Sequence, residues 1–277
     1  RIDNLKWGLD VTNQYTYWMR KMTFIANSGG VPGEMEQLNS GYREERYAED
    51  PNFTGFSAWN GGNPAGQFEY LSGTPELTKD FDDYDYTLEN TMEAVEQRHD
   101  VTTRVVISGT YTPNGFGSVA TRNSGGISFY YFKGNAIRVE AMRDMVNDRN
   151  LIPQELRDAG LEQAINDVLA WNPNAFNSPT ASFSVGGLNF YYEGVCYYTV
   201  LIRHFSNNMV PVLMGYGRYG VVRNNVYQLS INKIIGPGQP VINPPGTDPD
   251  DEDTSWISAD VNIMRWYIRN QNVEELL

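Results

Sequence analysis

Apolar and polar residues alternate over several short stretches of this chain, most clearly between residues 101 and 111. The odd-numbered positions there carry Val, Thr, Val, Ile, Gly and Tyr. The polar residues among the even-numbered positions are Thr102, Arg104, Ser108 and Thr110. A period of two predicts an antiparallel strand with one buried and one solvated face. Because the pattern recurs at 196–202 and 227–231, we expect one β domain over residues 1–235.

Weaker signals of the same kind predict further strands, and polar stretches predict loops. Trp7, Leu9 and Val11 alternate near the start of the chain, and aromatic residues are concentrated at 127–132. Residues 27–74 are rich in Gly, Asn, Ser and Pro and predict a long irregular excursion. Additional strands are expected at 183–192, 195–203, 210–214 and 225–235.

The β pattern breaks at about 136–171, where the sequence predicts a helical insertion. Pro153 is followed by Gln, Glu and Leu, as is typical of a helix with proline at its first position. A loose apolar stripe with a period near 3.6 residues follows, formed by Leu156, Leu161, Ile165, Val168 and Leu169. The domain is therefore expected to be a β-sandwich that carries one helical insertion.

The composition changes abruptly after residue 235. Residues 236–256 contain five prolines and five acidic residues, and they predict an extended, self-repelling linker that does not pack into a core. Residues 257–277 follow as a C-terminal appendage, and 257–268 have the pattern of a strand. Two interpretations stay open: this strand folds back onto its own domain as a bulged last strand, or it pairs with another molecule.

The terminal strand is apolar on both faces, with a change of parity near its middle. An apolar strand without a partner is an aggregation hazard unless it has a cognate groove. The linker before it favours pairing with another molecule, and we predict subunit-contact residues on both faces. They are Ile257, Ala259, Val261 and Ile263 on one face, and Met264, Trp266 and Ile268 on the other.

Charge and composition exclude several classes of function. The net charge is −13 and the Lys and Arg residues are scattered, so nucleic acid is not an expected partner. No run reaches the roughly 18 apolar residues that a membrane helix needs. Aromatic residues make up 13% of the chain beside 26 glycines, which suits short strands joined by polar loops.

No arrangement of residues in the sequence points to catalysis, a cofactor or a metal. Cys196 lies in an apolar strand, and neither His99 nor His204 has a motif around it. The acidic run at 80–85 lacks the glycine and distal glutamate of a calcium loop, so a solvated loop is favoured over a metal site. Residues 216–220 lack the Lys and Ser or Thr of a phosphate loop. We expect no catalytic, cofactor or metal residues, and therefore no enzyme.

Several stretches resemble the C-terminal domain of Bacteroidales fimbrillins, and most closely the major subunit of minor fimbriae. The most specific are 217–229, which contains YGVVRNNVYQL, and 257–273, which begins ISADVNIMRW. Weaker similarity is carried by WGLDVTN at 7–13, YTLENT at 86–91 and EGVCYYT at 193–199. The similarity leaves out the expected loop and the helical insertion.

The resemblance implies a transthyretin-like antiparallel β-sandwich with a C-terminal donor strand. It also implies export as a lipoprotein, maturation by cleavage after an Arg, and assembly by strand exchange into a type V pilus on the outer membrane. The implied partners are other copies of the subunit, accessory pilins, and host or bacterial surface ligands in adhesion and biofilm formation.

Two departures from the family pattern affect these expectations. The family usually has proline at the position of Arg265, where it would fix the switch between two half-strands. With Arg265 the switch has to be held by packing. The chain opens at Arg1 without a signal peptide, and we expect the family's N-terminal domain, with its accepting groove, to be missing from it.

The leading interpretation is a shaft subunit of a surface fimbria, because a linker followed by an apolar strand suits outward donation. The alternative is a tip adhesin or glycan-binding surface lipoprotein, in which exposed Trp and Tyr of residues 15–71 stack on sugars. Packing within the protein is the favoured role for those aromatic residues. A hydrolase has no motif behind it.

Overall fold

The computed structural model describes residues 1–15, 66–92, 96–117, 126–204 and 218–250, together with the backbone of the strand Ile257–Arg265. This part of the chain is mainly β, with antiparallel sheets and few helices, as expected for a β-sandwich. In chain order the strands are β1 (Ile2–Asp10), β2 (Thr12–Asn13), β3 (Phe68–Glu69), β4 (Arg104–Tyr111), β5 (Phe129–Phe132), β6 (Asn135–Arg138), β7 (Phe183–Val185), β8 (Leu188–Tyr191), β9 (Val195–Leu201), β10 (Asn225–Ile234) and β11 (Ile257–Arg265).

Within the described residues, neighbouring strands are antiparallel in every sheet. A central sheet has the order β1-β4-β9, and a second sheet has the order β6-β5-β8-β7. β10 and β11 form a two-stranded ribbon, and β2 pairs with β3. The ribbon faces the central sheet and gives the fold its sandwich character.

β4 lies in the middle of the central sheet and is buried on both faces. Val105 points into the core shared with β10. Val106, with 0% of its surface exposed, packs on the opposite side against Tyr197 and Ile242. The prediction of a half-buried strand is therefore wrong for β4, because other parts of the chain cover both faces of this sheet.

The main core lies between the central sheet and β10. Tyr227, Leu229 and Ile231 of β10 pack into it, and the polar residues between them are exposed, which confirms the predicted alternation. The face predicted for β9 is confirmed as well. Its members in this core are Cys196, Tyr198, Val200 and Ile202.

The four-stranded sheet carries the helices on its far face. They are α1 (Val139–Asn147), α2 (Gln154–Asp158) and α3 (Leu161–Trp171), with a 3-10 turn at Arg149–Leu151. The buried stripe of α3 packs against this sheet in a second hydrophobic core. The predicted insertion at 136–171 starts later than expected, because residues 136–138 belong to β6, and Pro153 directly precedes α2.

Alternate side chains of β5 connect the two cores. Phe129 faces the main core and stacks on Tyr191, with ring centroids 4.7 Å apart and planes 9° apart. Tyr130 faces the helices and packs on Phe190 at 4.7 Å. The second sheet is thus a shared wall between the sandwich and the helical layer.

A buried ion pair fixes the turn between β1 and β2. Asp10 Oδ2 accepts a hydrogen bond from Arg104 Nε at 2.7 Å, and the other oxygen accepts from the amides of Val11 at 2.9 Å and Leu71 at 2.7 Å. Val11 has a φ of 55°, which a β-branched residue rarely adopts. The carboxylate therefore stabilises an unfavourable turn and holds the incoming chain at Leu71.

Some predictions fall outside the described residues. The strand expected at 210–214 and most of the loop expected at 27–74 are among them. The described end of that loop, residues 66–74, contains β3.

Replacing Asp10 with alanine should lower the free energy of unfolding by about 3–5 kcal/mol, because Arg104 is left buried without its carboxylate. Urea denaturation followed by fluorescence measures the change. The matched control is Lys6→Ala, which removes the exposed 2.7 Å pair with Asp80 and should cost less than about 1 kcal/mol. Equal losses in the two variants would contradict a special role for the buried pair.

Candidate strand-pairing interface

β10 is fixed to the domain at its first residues. Arg223 donates to Glu89 from Nε at 2.5 Å and from its backbone N–H at 3.2 Å. Glu89 is only 7% exposed, so this ion pair lies at the edge of the core. Tyr227 Oη accepts a hydrogen bond from the Val222 amide at 2.9 Å and lies 2.7 Å from His204 Nδ1. The start of β10 is therefore held independently of any partner strand.

The chain just after β10 is fixed by two buried phenols. Tyr198 Oη donates to the carbonyl of Gly236 at 2.9 Å, and Tyr191 Oη donates to that of Gly238 at 2.7 Å. Burial raises the pKa of both phenols well above the ordinary value, so they remain donors. Gly238 has a φ of +61°, and a Cβ there would lie 2.4 Å from the Tyr197 carbonyl oxygen. β10 with anchors at both ends is called the platform below.

β11 pairs antiparallel with the platform over its whole length. The register is regular from Asn225 opposite Arg265 to Ile231 opposite Ala259. Directly opposed residues of an antiparallel pair share one face of the sheet. Positions 257, 259, 261 and 263 therefore lie on the core-facing side of the ribbon, opposite Ile234, Ile231, Leu229 and Tyr227.

A β-bulge at Asn232 lets apolar residues on both sides of it face the core. The register shifts between Ile231 and Lys233, so Asn232 is an extra residue in the platform. Ile234 consequently returns to the core side, whereas Asn232 and Lys233 are both exposed. The bulge belongs to β10 and not to the last strand, in which the pairing is continuous.

The predicted subunit-contact residues lie only partly within β11. Trp266 and Ile268 fall outside the described residues. In this single chain β11 pairs with its own domain, and a role in contacts between subunits stays a prediction. The predicted residues that β11 contains are Ile257, Ala259, Val261, Ile263 and, opposite Val226 on the other face, Met264.

The Pro-rich segment after the platform packs against the domain. Gln239 and Tyr197 exchange two backbone hydrogen bonds of 2.8 and 2.9 Å, and Ile242 and Gly73 exchange two of 2.8 and 2.7 Å. Ile242 is 2% exposed and packs beside Val106. The expectation of a linker that does not pack therefore fails for the described residues 236–250, because one apolar side chain and paired backbone groups outweigh the average composition.

The last residue of this segment that the structure describes, Asp250, has a buried carboxylate. Asp250 is 1% exposed, accepts a hydrogen bond from Thr102 Oγ1 at 2.5 Å, and donates its amide to the Gln97 carbonyl at 3.1 Å. Pro249 stands opposite Arg98 in an antiparallel bridge. The chain is thus attached to the domain seven positions before β11 begins.

Cys196 is a packing residue of the main core. Its thiol donates to the Gly109 carbonyl at 3.3 Å and lies 3.6 Å from Tyr198 Oη. Burial raises the pKa of this thiol to about 11. The environment stabilises the neutral thiol and disfavours the nucleophilic thiolate.

The acidic run at 80–85 is a surface loop tied to β1. Asp80 pairs with Lys6 at 2.7 Å, its carbonyl accepts from Trp7 Nε1 at 2.7 Å, and its amide donates to Asp83 at 2.7 Å. Among the residues that the structure describes, no three His, Cys, Asp or Glu side chains are grouped to hold a metal ion. No helix in the described part of the chain has the length and apolar character needed to cross a membrane.

Both the platform strand β10 and its partner β11 lie within a region that matches a known family. Residues 189–272 match the family model described as the major fimbrial subunit protein type IV, fimbrillin, C-terminal. This region of the chain is similar to fimbrillins. The fimbrillin-like region covers less than a third of the 277 residues and includes β9, β10 and β11. No curated protein matches the chain.

The strands that the sequence predicted, β10 and β11, lie inside the fimbrillin-like region. Some of the side chains that hold this region in place were not predicted, and they lie outside it. Glu89 and Thr102 support the platform and Asp250 from more than a hundred residues away, so no local pattern reveals them. Ile242 had a detectable signal, since Val241 and Ile242 are an apolar pair within a Pro-rich segment. The family itself is one of structural fimbrial subunits.

Cys196 should resist thiol reagents in the native protein. With a pKa near 11, its thiolate population at pH 8 is at least about a hundredfold below that of a free cysteine, and the side chain is buried. Labelling with a maleimide should proceed only in denaturant, and the native protein should label far more slowly than free cysteine at both pH 7 and pH 9. Native labelling at a rate close to that of free cysteine would show the prediction to be wrong.

Proposed function

We propose that this protein is a structural subunit of a bacterial surface fimbria that polymerises by strand exchange through its C-terminal strand. One observation carries the proposal: β11 pairs over nine residues with a platform that the rest of the domain holds in place, and both strands lie within the fimbrillin-like region. In exchange, the core-facing side of β11 would fill the accepting groove of a second subunit, which the resemblance places in the family's N-terminal domain.

The energetics of exchange depend on how well ordered the accepting groove is. Ordering a strand costs about 1–2 kcal/mol of backbone entropy per residue, whereas burying one large aliphatic side chain contributes about 1.5–3 kcal/mol. The balance is favourable only where the accepting strand is already ordered. Within this chain, the ion pair of Arg223 with Glu89 and the bonds of Tyr198 and Tyr191 give β10 that order. An accepting groove in a second subunit needs the same order.

The finer assignment follows the resemblance to minor-fimbria subunits of Bacteroidales. In this proposal the protein reaches the outer membrane as a lipoprotein and assembles with further copies and accessory pilins. The resulting fibre supports adhesion and biofilm formation. Catalysis, a cofactor and a structural metal have no part in it.

A second candidate function is a glycan-binding or tip-adhesin surface. Tyr84 and Tyr86 are 78% and 84% exposed on the loop that also carries Asp82, Asp83 and Asp85. Exposed aromatic faces beside carboxylates suit stacking on sugars and hydrogen bonding to their hydroxyls. A glycan array separates the candidates, because a shaft subunit needs no sugar ligand.

Val261→Asp or Ile263→Asp should abolish fibre formation, because each places a charge on the core-facing side of the ribbon. Deleting residues 257–277 should abolish it too and leave the domain folded. The full-length subunit carrying each change is expressed, and fimbriae are sought by electron microscopy.

Asn262→Asp is the matched control, since position 262 lies opposite exposed Gln228 and carries the same added charge on the solvent side. Normal fibres are expected from it. Normal fibres from the deletion variant would end the strand-exchange proposal. A collapse of the melting temperature after deletion would assign β11 to the stability of its own domain instead.

A further inference from the structure

A cleft of about 450 Å³ lies between the start of α1, the segment that leads into β5 and residues 178–180. Its volume falls in the range of pockets that bind small molecules. Apolar side chains, among them Phe116 and Phe190, form part of its walls. The polar and charged residues that line it are Ser128, Arg138, Glu140, Arg143, Ser178 and Thr180.

Two arginines supply positive charge to this cleft. Arg138 is held in place, because its Nη2 donates to the Gly115 carbonyl at 2.6 Å and its guanidinium lies 4.5 Å from the centroid of the Phe116 ring. A guanidinium has five N–H donors, so most of them are left for a ligand. Within the described residues, neither Arg138 nor Arg143 is paired with a carboxylate. The cleft therefore carries an uncompensated positive pair on a chain whose net charge is −13.

The N-terminus of α1 adds to this positive potential. Val139 and Glu140, the first two residues of the helix, both line the cleft. Arg138 is the N-cap residue, and no side chain caps the helix there. The first N–H groups of a helix have no partner within it, and the helix dipole favours an anion beside them. Two guanidinium groups and the start of a helix thus favour a negatively charged ligand at the same place.

A buried hydroxyl next to the cleft is also unused. Tyr130 is 1% exposed, and its ring packs on Phe190, which lines the cleft. Among the residues that the structure describes, none forms a hydrogen bond with Tyr130 Oη. Burial raises the pKa of this phenol, and the positive charge of Arg143 opposes the rise, so the two groups are near each other. Because buried polar groups are nearly always paired, Tyr130 Oη is a spare donor on the Arg143 side of the cleft.

We infer that this cleft binds a sugar residue that carries a carboxylate, such as a uronic acid or a sialic acid. The carboxylate pairs with Arg138 and Arg143 through charge-assisted hydrogen bonds. The sugar hydroxyls bond to the hydroxyl side chains of the lining. Of these, Ser128 Oγ accepts from the Glu193 amide at 2.9 Å, which leaves its own proton free to donate.

The combination of groups in the cleft selects this ligand class. A bare anion leaves the three lining hydroxyls unused, and a neutral sugar leaves the two guanidinium groups unused. The cleft is distinct from the loop with Tyr84 and Tyr86, whose aspartates disfavour an acidic sugar. Binding here goes beyond the structural role proposed above and does not require strand exchange.

Glu140 allows a test in which the affinity should rise. It lies in the first turn of α1, and its carboxylate lines the cleft, where it repels an acidic ligand. Glu140→Gln should therefore strengthen binding by about two- to fivefold. Arg143→Gln should weaken it by about tenfold or more, because a charge-assisted hydrogen bond is lost. Lys233→Gln is the matched control, since it removes the same charge from an exposed position of β10 outside the cleft.

Binding is measured by isothermal titration calorimetry on the purified 277-residue chain. The probes are the methyl glycosides of glucuronic acid and of N-acetylneuraminic acid. Each is compared with a neutral counterpart, methyl glucoside for the first and the methyl ester for the second. Acetate tests a bare carboxylate, and N-acetylglutamate N-methylamide tests an acidic peptide. Circular dichroism melting shows that each variant is folded.

We expect at least one acidic sugar to bind, and its neutral counterpart to bind about tenfold more weakly or not at all. Binding of neither acid, or equal binding of the neutral counterpart, acetate or the glutamate derivative, would overturn the inference. Weaker binding after Glu140→Gln, or equal losses in the Arg143 and Lys233 variants, would overturn it too. The assay does not involve fibre formation, so its failure leaves the proposed function intact, and absence of fibres leaves this site intact.

Discussion

The fold depends on the burial of β4 on both faces. A three-stranded sheet whose middle strand is buried on both sides, with Val105 on one and Val106 on the other, needs a cover on each. The platform and β11 form a ribbon over one face, and the Pro-rich segment between them crosses to the other. One continuous stretch of chain thus closes both sides of the same sheet, which explains why its middle part is docked although its composition is that of a linker.

The sequence predicted the elements whose signal is local. Alternation at 227–231 and 196–202 gave the correct faces of β10 and β9, and a broken pattern located the helices. The double burial of β4 was missed because the even-numbered positions are mainly polar, and Thr102 and Arg104 are buried through specific partners. Buried polar groups of this kind look solvent-exposed in any periodicity argument, since their partners are distant in the chain.

The candidate interface likewise contains residues that the sequence predicts and residues that it does not. The residues of β11 were identifiable, because an apolar strand at the end of a chain is visible in the sequence. The platform's anchors were not, because Glu89 and Arg223 are 134 positions apart. The average composition of residues 236–256 predicts a free linker, and it therefore missed that Asp250 is buried and bonded to Thr102. In each case the sequence did not reveal a polar contact between residues far apart in the chain: Glu89 with Arg223, and Thr102 with Asp250.

The bulge at Asn232 has a consequence for the alignment of β11 on β10. A plain two-stranded ribbon tolerates a slip of two residues, because the same faces meet again after each slip. The extra residue in β10 removes that freedom, since only one alignment matches the stretch before the bulge and the stretch after it at the same time. A slip of two residues would displace the donor by about 7 Å along the strand. The bulge therefore acts as a stop that holds β11 at one position along β10 and excludes the shifted pairings that a plain ribbon would permit.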